Sequence, residues 1–435
     1  MRALEALERA EPLTVQGRVA QAVGIVIEGY GPVTSIGEIC TITREHEQPP
    51  VAAEVVGFRG DRILVMPLGD TQGIGPGSRI LMQGRPASVT VGPGLLGRIL
   101  NGLGEPIDGR GPVLGEEIYP LHAAPPDPLQ RARISEPLDL GVRALNALLA
   151  CGVGQRMGIF AMSGVGKSVL LGMIGRYTAA DVNVIALVGE RGREVKEFLE
   201  RDMTPDALSR SVVVVATSDQ PPLVRIRGAL LATAIAEYFR DRGDRVLLMM
   251  DSLTRLAYAQ REIGLATGEP PTTKGYTPSV FALLPRLLER VGTSGGTGSI
   301  TGLYTVLTDG EDLADPIAES ARSILDGHIV LSRELAERNH FPAIDILRSA
   351  SRVMRDIVPA THYAAARRIV ELTAVYKRSE DLITLGAYKA GVNKSLDQAV
   401  AAQDSLARFL RQTPESRADW PSSVDALMKL EQSTQ

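Results

Sequence analysis

Lys167 and Ser168 close the run Ala161-Met162-Ser163-Gly164-Val165-Gly166-Lys167-Ser168, whose residue types can hold a polyphosphate. A short apolar run, Met157 to Phe160, precedes it, and a helix-like run, Val169-Leu170-Leu171 with Ile174, follows. A strand, a small-residue loop and a helix start in that order turn backbone N–H groups toward an anion, and the helix dipole favours the negative charge. In such a cradle Lys167 reaches the β- and γ-phosphates and the Ser168 hydroxyl ligates Mg²⁺. Ser163, Gly164, Val165, Gly166 and Val169 complete the expected phosphate-binding stretch. The strict pattern has Gly where Ala161 stands, but the inner core from Gly164 to Ser168 is intact. Taken alone, the run also fits a Gly-rich strand-to-helix turn with a chance lysine.

Two further strand-like runs end in the groups such a loop needs. Val184 to Val188 leads into Gly189-Glu190-Arg191, and Val246 to Met250 leads into Asp251-Ser252. In an open α/β sheet, ligand-binding groups collect just beyond the carboxyl ends of the strands. There Asp251 would hold the Mg²⁺ shell, and Glu190 would orient and polarise the attacking water. Either acid alone fits an ordinary strand-end cap. All three strand ends together imply nucleoside triphosphate hydrolysis.

The elements that position these ends are legible in the patterning. From about residue 92 to 354 buried strands alternate with helical runs, which predicts a mostly parallel sheet. Further strands are expected at Val212 to Ala216 and at Ser299 to Leu307, the latter ending in Thr308-Asp309. Helices are expected at Leu223 to Arg240 and at Ser279 to Arg290, the second kinked by Pro285. Gly268 to Pro278 is rich in Gly, Pro and Thr and reads as a long working loop. Residues 13–89 hold short β runs spaced by glycines, the pattern of a small closed barrel. Val91 to Gly97 fits G-x-G-x-x-G, but Pro93 follows the first Gly and no long strand leads in. It reads as the join between barrel and core rather than a dinucleotide site. After residue 355 helices are expected at Tyr363 to Tyr376, Glu380 to Ala387 and Ser395 to Arg411.

Composition narrows the class. A chain of 435 residues is expected to hold two or three domains. Aromatics are only 4%, so packing must rest on aliphatic side chains and Met. Net charge is −4 with no long Lys/Arg tract, which argues against a nucleic-acid groove. Cys40 and Cys151, far apart, suit a reducing cytoplasm. His46, His122, His328, His340 and His362 never fall at zinc-binding spacing, so no transition metal is expected. Met1 to Pro12 reads as a short amphipathic helix through Leu4 and Leu7, without the apolar stretch of a secretion signal. No apolar run approaches the roughly 18 residues that span a bilayer, so membrane association is expected to be peripheral.

With these residues in view, a resemblance covers nearly the whole chain. Its carriers are Leu100 to Gly109, the phosphate loop, Gly189-Glu190-Arg191-Gly192-Arg193-Glu194-Val195, Asp251-Ser252-Leu253-Thr254-Arg255 and Ala259 to Leu265. The runs Gly268 to Arg290 and Ala318 to Leu331 add to them. The chain resembles the rotary-type hexameric ATPase family, and within it the flagellar and type III protein-export branch. That resemblance implies an α/β fold: a RecA-like P-loop nucleotide-binding core at 90–355, an N-terminal β-barrel at 13–89 behind a 1–12 arm, and a C-terminal helical domain at 356–435. It implies Mg²⁺-dependent ATP hydrolysis energising protein export through the flagellar type III apparatus. A virulence injectisome ATPase is the alternative; a rotary synthase subunit and a Rho-like RNA translocase stand further off.

Three positions acquire roles from the resemblance. Phe341-Pro342-Ala343-Ile344-Asp345 is similar to the family segment whose aromatic residue packs on adenine, although a lone Phe341 reads as core. Ser351-Arg352-Val353-Met354 is similar to the segment with the arginine finger, although a lone Arg352 reads as a surface arginine. Arg191 matches a family position near the γ-phosphate. With Glu190 and Arg352 on one chain, and a trans finger worth about 10³–10⁵ in rate, a homohexamer is implied. Departures are Met162, where the branch has Gly, and Gly386 to Gly391, which lacks the acidic lever of rotary catalytic subunits. Between 13 and 89 the aromatics are Tyr30 and Phe58, too few for an RNA-stacking platform, so no nucleic-acid partner is expected. The implied partners are a regulatory stator protein at the N-terminal arm, export chaperones, export-gate membrane proteins and unfolded substrates. The implied location is the cytoplasm, peripheral to the inner-membrane export gate. Phe409-Leu410-Arg411-Gln412 with Trp420 and Ser422-Ser423-Val424 leans toward the flagellar branch.

Overall fold

The computed structural model describes residues 16–45, 48–308 and 315–434; the Met1 to Pro12 arm, His46 and Asp309 lie outside these. Six antiparallel strands, Gln16–Val23, Val26–Tyr30, Glu38–Ile42, Val51–Arg59, Arg62–Pro67 and Arg79–Pro86, close into a barrel. Val19, Ile27, Cys40, Ile42, Ala53, Val55, Ile63, Val65 and Ile80 fill it. Their period of two along each strand is what aims them at one interior.

The core sheet runs Ile344–Ser351, Gly327–Leu331, Arg156–Ala161, Ser299–Leu307, Arg245–Asp251, Val182–Val188, Ser211–Ala216, Ile99–Asn101. All neighbours on this path are parallel except the edge pair Ile344–Ser351 with Gly327–Leu331. Successive residues of one strand serve opposite cores. Val184, Ala186 and Val188 pack with the helices Pro222–Asp241 and Leu253–Thr267, as do Val26, Leu64 and Met66 of the barrel. Ile185 and Leu187 pack with the helix Lys167–Tyr177 and the C-terminal helices. Burial on both faces explains the unbroken apolar runs in the sequence. Pro285 lies inside the helix Pro278–Leu288, which continues only to Leu288.

The C-terminal helices are Ala360–Thr384, Lys394–Leu410 and Trp420–Ser433. The first joins two expected helices into one. The polar stretch Lys377-Arg378-Ser379 looks like a break, but it holds no Gly or Pro and simply lies on a solvent-facing side. The last was not expected as a helix; Asp419 caps it by accepting from Ser422 N at 2.9 Å, and Trp420 meets the His362 ring edge-on at 5.6 Å.

Polar contacts tie the parts together. Arg227 donates to Glu54 Oε2 at 2.7 Å, linking a core helix to the barrel. Gln412 N donates to Phe341 O at 3.0 Å and Gln412 Oε1 accepts from Arg143 N at 2.8 Å, linking the helical domain to the core. Within the core, Arg290 pairs bidentately with Glu237 at 2.8 and 2.6 Å and donates to Leu121 O at 2.6 Å, with 2% of the residue exposed. Removing one partner of such a pair leaves an uncompensated buried charge. Glu237→Ala should therefore lower stability by about 3–5 kcal/mol, read as a lower denaturant midpoint; an unchanged midpoint would show that the pair contributes nothing net.

Candidate active site

The phosphate-loop strand Arg156–Ala161 lies inside the sheet, so its loop opens at the carboxyl ends, where the helix Lys167–Tyr177 begins. Gly166 caps that helix at φ +88°, a left-handed conformation that costs Gly little and other residues much. A Cβ added at Gly166 would stand 3.5 Å from the Phe341 ring. Phe341 is thus set against the loop, and at 39% exposure it is not a core residue. Val165 turns its side chain into the core, while Ser163, Gly164, Gly166, Lys167, Ser168 and Val169 face a cleft of about 420 Å³. Met162 packs at the edge of the core cluster and lines the same cleft.

Three charges meet at its base. Lys167 Nζ lies 2.5 Å from Asp251 Oδ1 and 3.5 Å from Glu190 Oε1. The register pairs Leu187 with Asp251, so the Glu190 and Asp251 strand ends are adjacent. Burial, then the neighbouring Asp251 charge, pushes the Glu190 carboxyl up from its ordinary 4.5 to about 7. Burial works against the Lys167 charge, but the facing carboxylates of Asp251 and Glu190 prevail and raise its pKa. Glu190 Oε1 is buried and accepts no hydrogen bond among the described residues. That leaves a buried acceptor unfilled beside Lys167.

The donor set suits Mg²⁺. Ser168 and Asp251 offer hard oxygen ligands, and a cavity of about 10 Å³, the room one water-sized sphere needs, lies among Ser168, Glu190 and Asp251. No cluster of three or more His, Cys, Asp or Glu forms a cage among the described residues. A Mg²⁺ site that uses one carboxylate and substrate phosphates needs none.

The remaining predicted residues lie further out. Arg191 lines the cleft, its side chain 76% exposed and paired with Glu194 at 3.2 Å. Arg352 is not in this cleft. Its N–H donates to Asp326 O at 3.0 Å, and Asp326 N–H donates to Arg156 O at 2.8 Å, which places Arg352 level with the start of the phosphate-loop strand. Five residues at roughly 3.3 Å each separate that level from Ala161, about 16 Å, beyond the reach of an arginine side chain.

Two residues of the site went unassigned in the sequence. Arg255 lines the cleft, its Nε buried without a hydrogen-bond partner among the described residues. Its position one turn beyond Asp251, in the helix capped by Ser252, could have singled it out. Its stem crosses Gly189, where an added Cβ would meet Arg255 Cβ at 2.6 Å. Thr305 donates to Asp251 Oδ1 at 2.6 Å and is fully buried. Nothing local to its apolar strand marks it; only the register does. A second cavity, about 450 Å³ and mostly apolar, lies between the edge strand and the C-terminal helices. It contains none of the phosphate-loop residues, so the chemistry belongs to the smaller cleft.

Lysine, paired acids and a glycine loop at the carboxyl ends of a parallel sheet define a P-loop nucleoside triphosphatase. The chain belongs to the ATP synthase alpha/beta family, whose nucleotide-binding domain matches residues 141–351 and whose beta-barrel domain matches 19–84, while the T3SS EscN ATPase C-terminal domain matches 358–429. It is 51% identical over 430 residues to the flagellum-specific ATP synthase of Bacillus subtilis, covering 98% of each. It is 51% identical over 411 residues to the type 3 secretion system ATPase of Xanthomonas euvesicatoria, covering 94% of this chain and 93% of that one. The assembled ATPase EscN from enteropathogenic E. coli superposes with a TM-score of 0.90 at 46% identity, over 95% of this chain and 100% of EscN. EscN has also been solved in complex with its central stalk EscO, with a TM-score of 0.88 at 45% identity and the same coverage.

The Glu190 shift has a signed consequence. Its folded pKa, about 7, exceeds the ordinary 4.5, so the native state holds the proton more tightly and loses stability as pH rises between those values. Glu190→Gln carries no such charge. Without nucleotide it should melt above wild type near pH 8, with the difference shrinking near about pH 5.5. Equal melting temperatures at both pH values would contradict the shift.

Proposed function

We propose that this chain hydrolyses ATP with Mg²⁺ to energise protein export through a flagellar type III apparatus. The observation that carries the reading is the buried trio Lys167, Glu190 and Asp251 at the phosphate loop. Lys167 neutralises the β- and γ-phosphates, Ser168 and Asp251 hold Mg²⁺, and Glu190 accepts a hydrogen bond from the attacking water. Phe341 carries the adenine, and Arg191 and Arg255 reach the γ-phosphate. When bound, Mg²⁺ neutralises the charge that develops on the phosphate oxygens.

Arg352 is assigned to a neighbouring chain's pocket, since its own phosphate loop is out of reach. That supports a homohexamer in which each interface joins one chain's Glu190 to the next chain's Arg352. The assembled state of EscN and its stalk complex support a ring with a central partner here too. A stator protein, export chaperones, gate proteins and unfolded substrates belong to the same reading, as does a cytoplasmic position beside the inner membrane. Among the described residues no helix is long and apolar enough to cross a membrane. The type 3 secretion relative and the EscN match favour a second reading, an injectisome ATPase. A deletion strain separates the two: loss of swimming and filaments supports the first, and loss of effector secretion with motility kept supports the second.

Lys167→Ala and Glu190→Gln should abolish turnover in a folded protein, because phosphate neutralisation or water activation is lost. Arg352→Ala should lower turnover by about 10³-fold or more while nucleotide still binds. Mixing Arg352→Ala with Glu190→Gln chains should restore part of the activity, since some interfaces regain both groups. Absence of rescue in rings proven to be mixed would rule out the trans assignment.

A further inference from the structure

Asp251 sits between two strands, and the one on the phosphate-loop side is Ser299–Leu307. The register there pairs Met250 with Tyr304, so the next position sets Thr305 beside Asp251. Lys167 reaches Asp251 from the phosphate loop, which leads from the strand beyond. Asp251 Oδ1 therefore accepts two hydrogen bonds, from Lys167 Nζ at 2.5 Å and Thr305 Oγ1 at 2.6 Å. Thr305 is fully buried, and among the described residues its other contact of this kind is Met250 O at a long 3.5 Å. A hydroxyl has a single proton, and here it goes to the carboxylate.

We propose that Thr305 is the positioning residue for Asp251, anchoring one carboxylate oxygen in the sheet so that the other stays turned to Mg²⁺. The inference rests on the reading of Asp251 as a Mg²⁺ ligand and names the group that orients it. Ligating carboxylates are held by hydrogen bonds of their own, and losing such a partner weakens metal affinity by about 10–100-fold. The need is sharper here because Lys167 serves two masters. As Lys167 turns toward phosphate oxygens, its hydrogen bond to Oδ1 weakens, and Thr305 is then the donor that still fixes the carboxylate. A β-branched residue on this strand also has a restricted χ1, so the hydroxyl keeps its aim.

The test is a Mg²⁺ titration of the full chain with a fluorescent, non-hydrolysable ATP analogue, read as nucleotide binding rather than turnover. Thr305→Val keeps the branched shape and removes the donor; its Mg²⁺ midpoint should rise about 10–100-fold, with nucleotide affinity at saturating Mg²⁺ little changed. Thr305→Ser keeps the donor and should stay within about threefold of wild type by the same argument. A Thr305→Val midpoint equal to wild type would overturn the proposal, and so would a Thr305→Ser shift as large as that of Thr305→Val, which would mean packing alone. Asp251→Asn in the same titration separates the levels. If it too leaves the midpoint unchanged, the Mg²⁺ assignment of Asp251 fails; if it shifts while Thr305→Val does not, only the role of Thr305 falls.

Discussion

One ammonium group faces two carboxylates in a pocket largely closed to water, and that arrangement is tolerable because the ammonium offsets one carboxylate while the other holds its proton more tightly. The side chains of Lys167, Glu190 and Asp251 are 12%, 10% and 7% exposed. Taking a charge out of water is expensive, and attraction repays it only with close geometry and further hydrogen bonds. Lys167 and Asp251 meet that condition, with Thr305 as the extra donor. Glu190 does not: burial and the neighbouring Asp251 charge raise its proton affinity, and its Oε1 accepts no hydrogen bond among the described residues. The site therefore holds a partly frustrated acid beside a satisfied ion pair. On the proposed reading, a water hydrogen-bonded to Glu190 would relieve that frustration. On that reading, stability is given up where the chemistry would need an unfilled acceptor.

The sheet makes this geometry possible. Its inner strands are largely apolar and buried on both faces, so the charged groups of the site sit where strands end. Parallel pairing gathers those ends on one side. Asp251 closes its strand as the last residue, Glu190 follows its strand within two residues, and Lys167 starts the helix after its loop. Gly166 and Gly189 serve the same end, one by taking the left-handed turn into the helix and the other by leaving room for the Arg255 stem. At the far side of the phosphate loop, Gln412 ties the C-terminal helices to the backbone of Phe341.

How much of this was legible in the sequence depended on whether the signal was local. The phosphate loop, Glu190 and Asp251 carry their chemistry in consecutive residues, so motif and strand end coincide. The barrel was legible because glycine-rich turns space its short β runs evenly. Thr305 was not, because its partner is 54 positions away in the chain and only sheet register brings them together. Arg255 lay inside a quoted motif, yet its role depends on a helix direction that the motif does not state. The C-terminal helices were misdivided because surface polarity at Lys377-Arg378-Ser379 resembles a loop when burial is unknown.

The position of Arg352 bears on assembly. The phosphate pocket opens at the carboxyl ends of the strands, whereas Arg352 is level with Arg156, where the phosphate-loop strand starts. On the proposed reading, one surface of a chain presents the pocket and a different surface presents the finger. An isologous dimer sets the same patch against itself and cannot make pocket meet finger by that contact. A heterologous interface can, and repetition of it by rotation closes into a ring. Closure is also the arrangement that serves every pocket. An open stack would leave one terminal pocket without its arginine and one terminal arginine without a pocket, while a ring leaves neither.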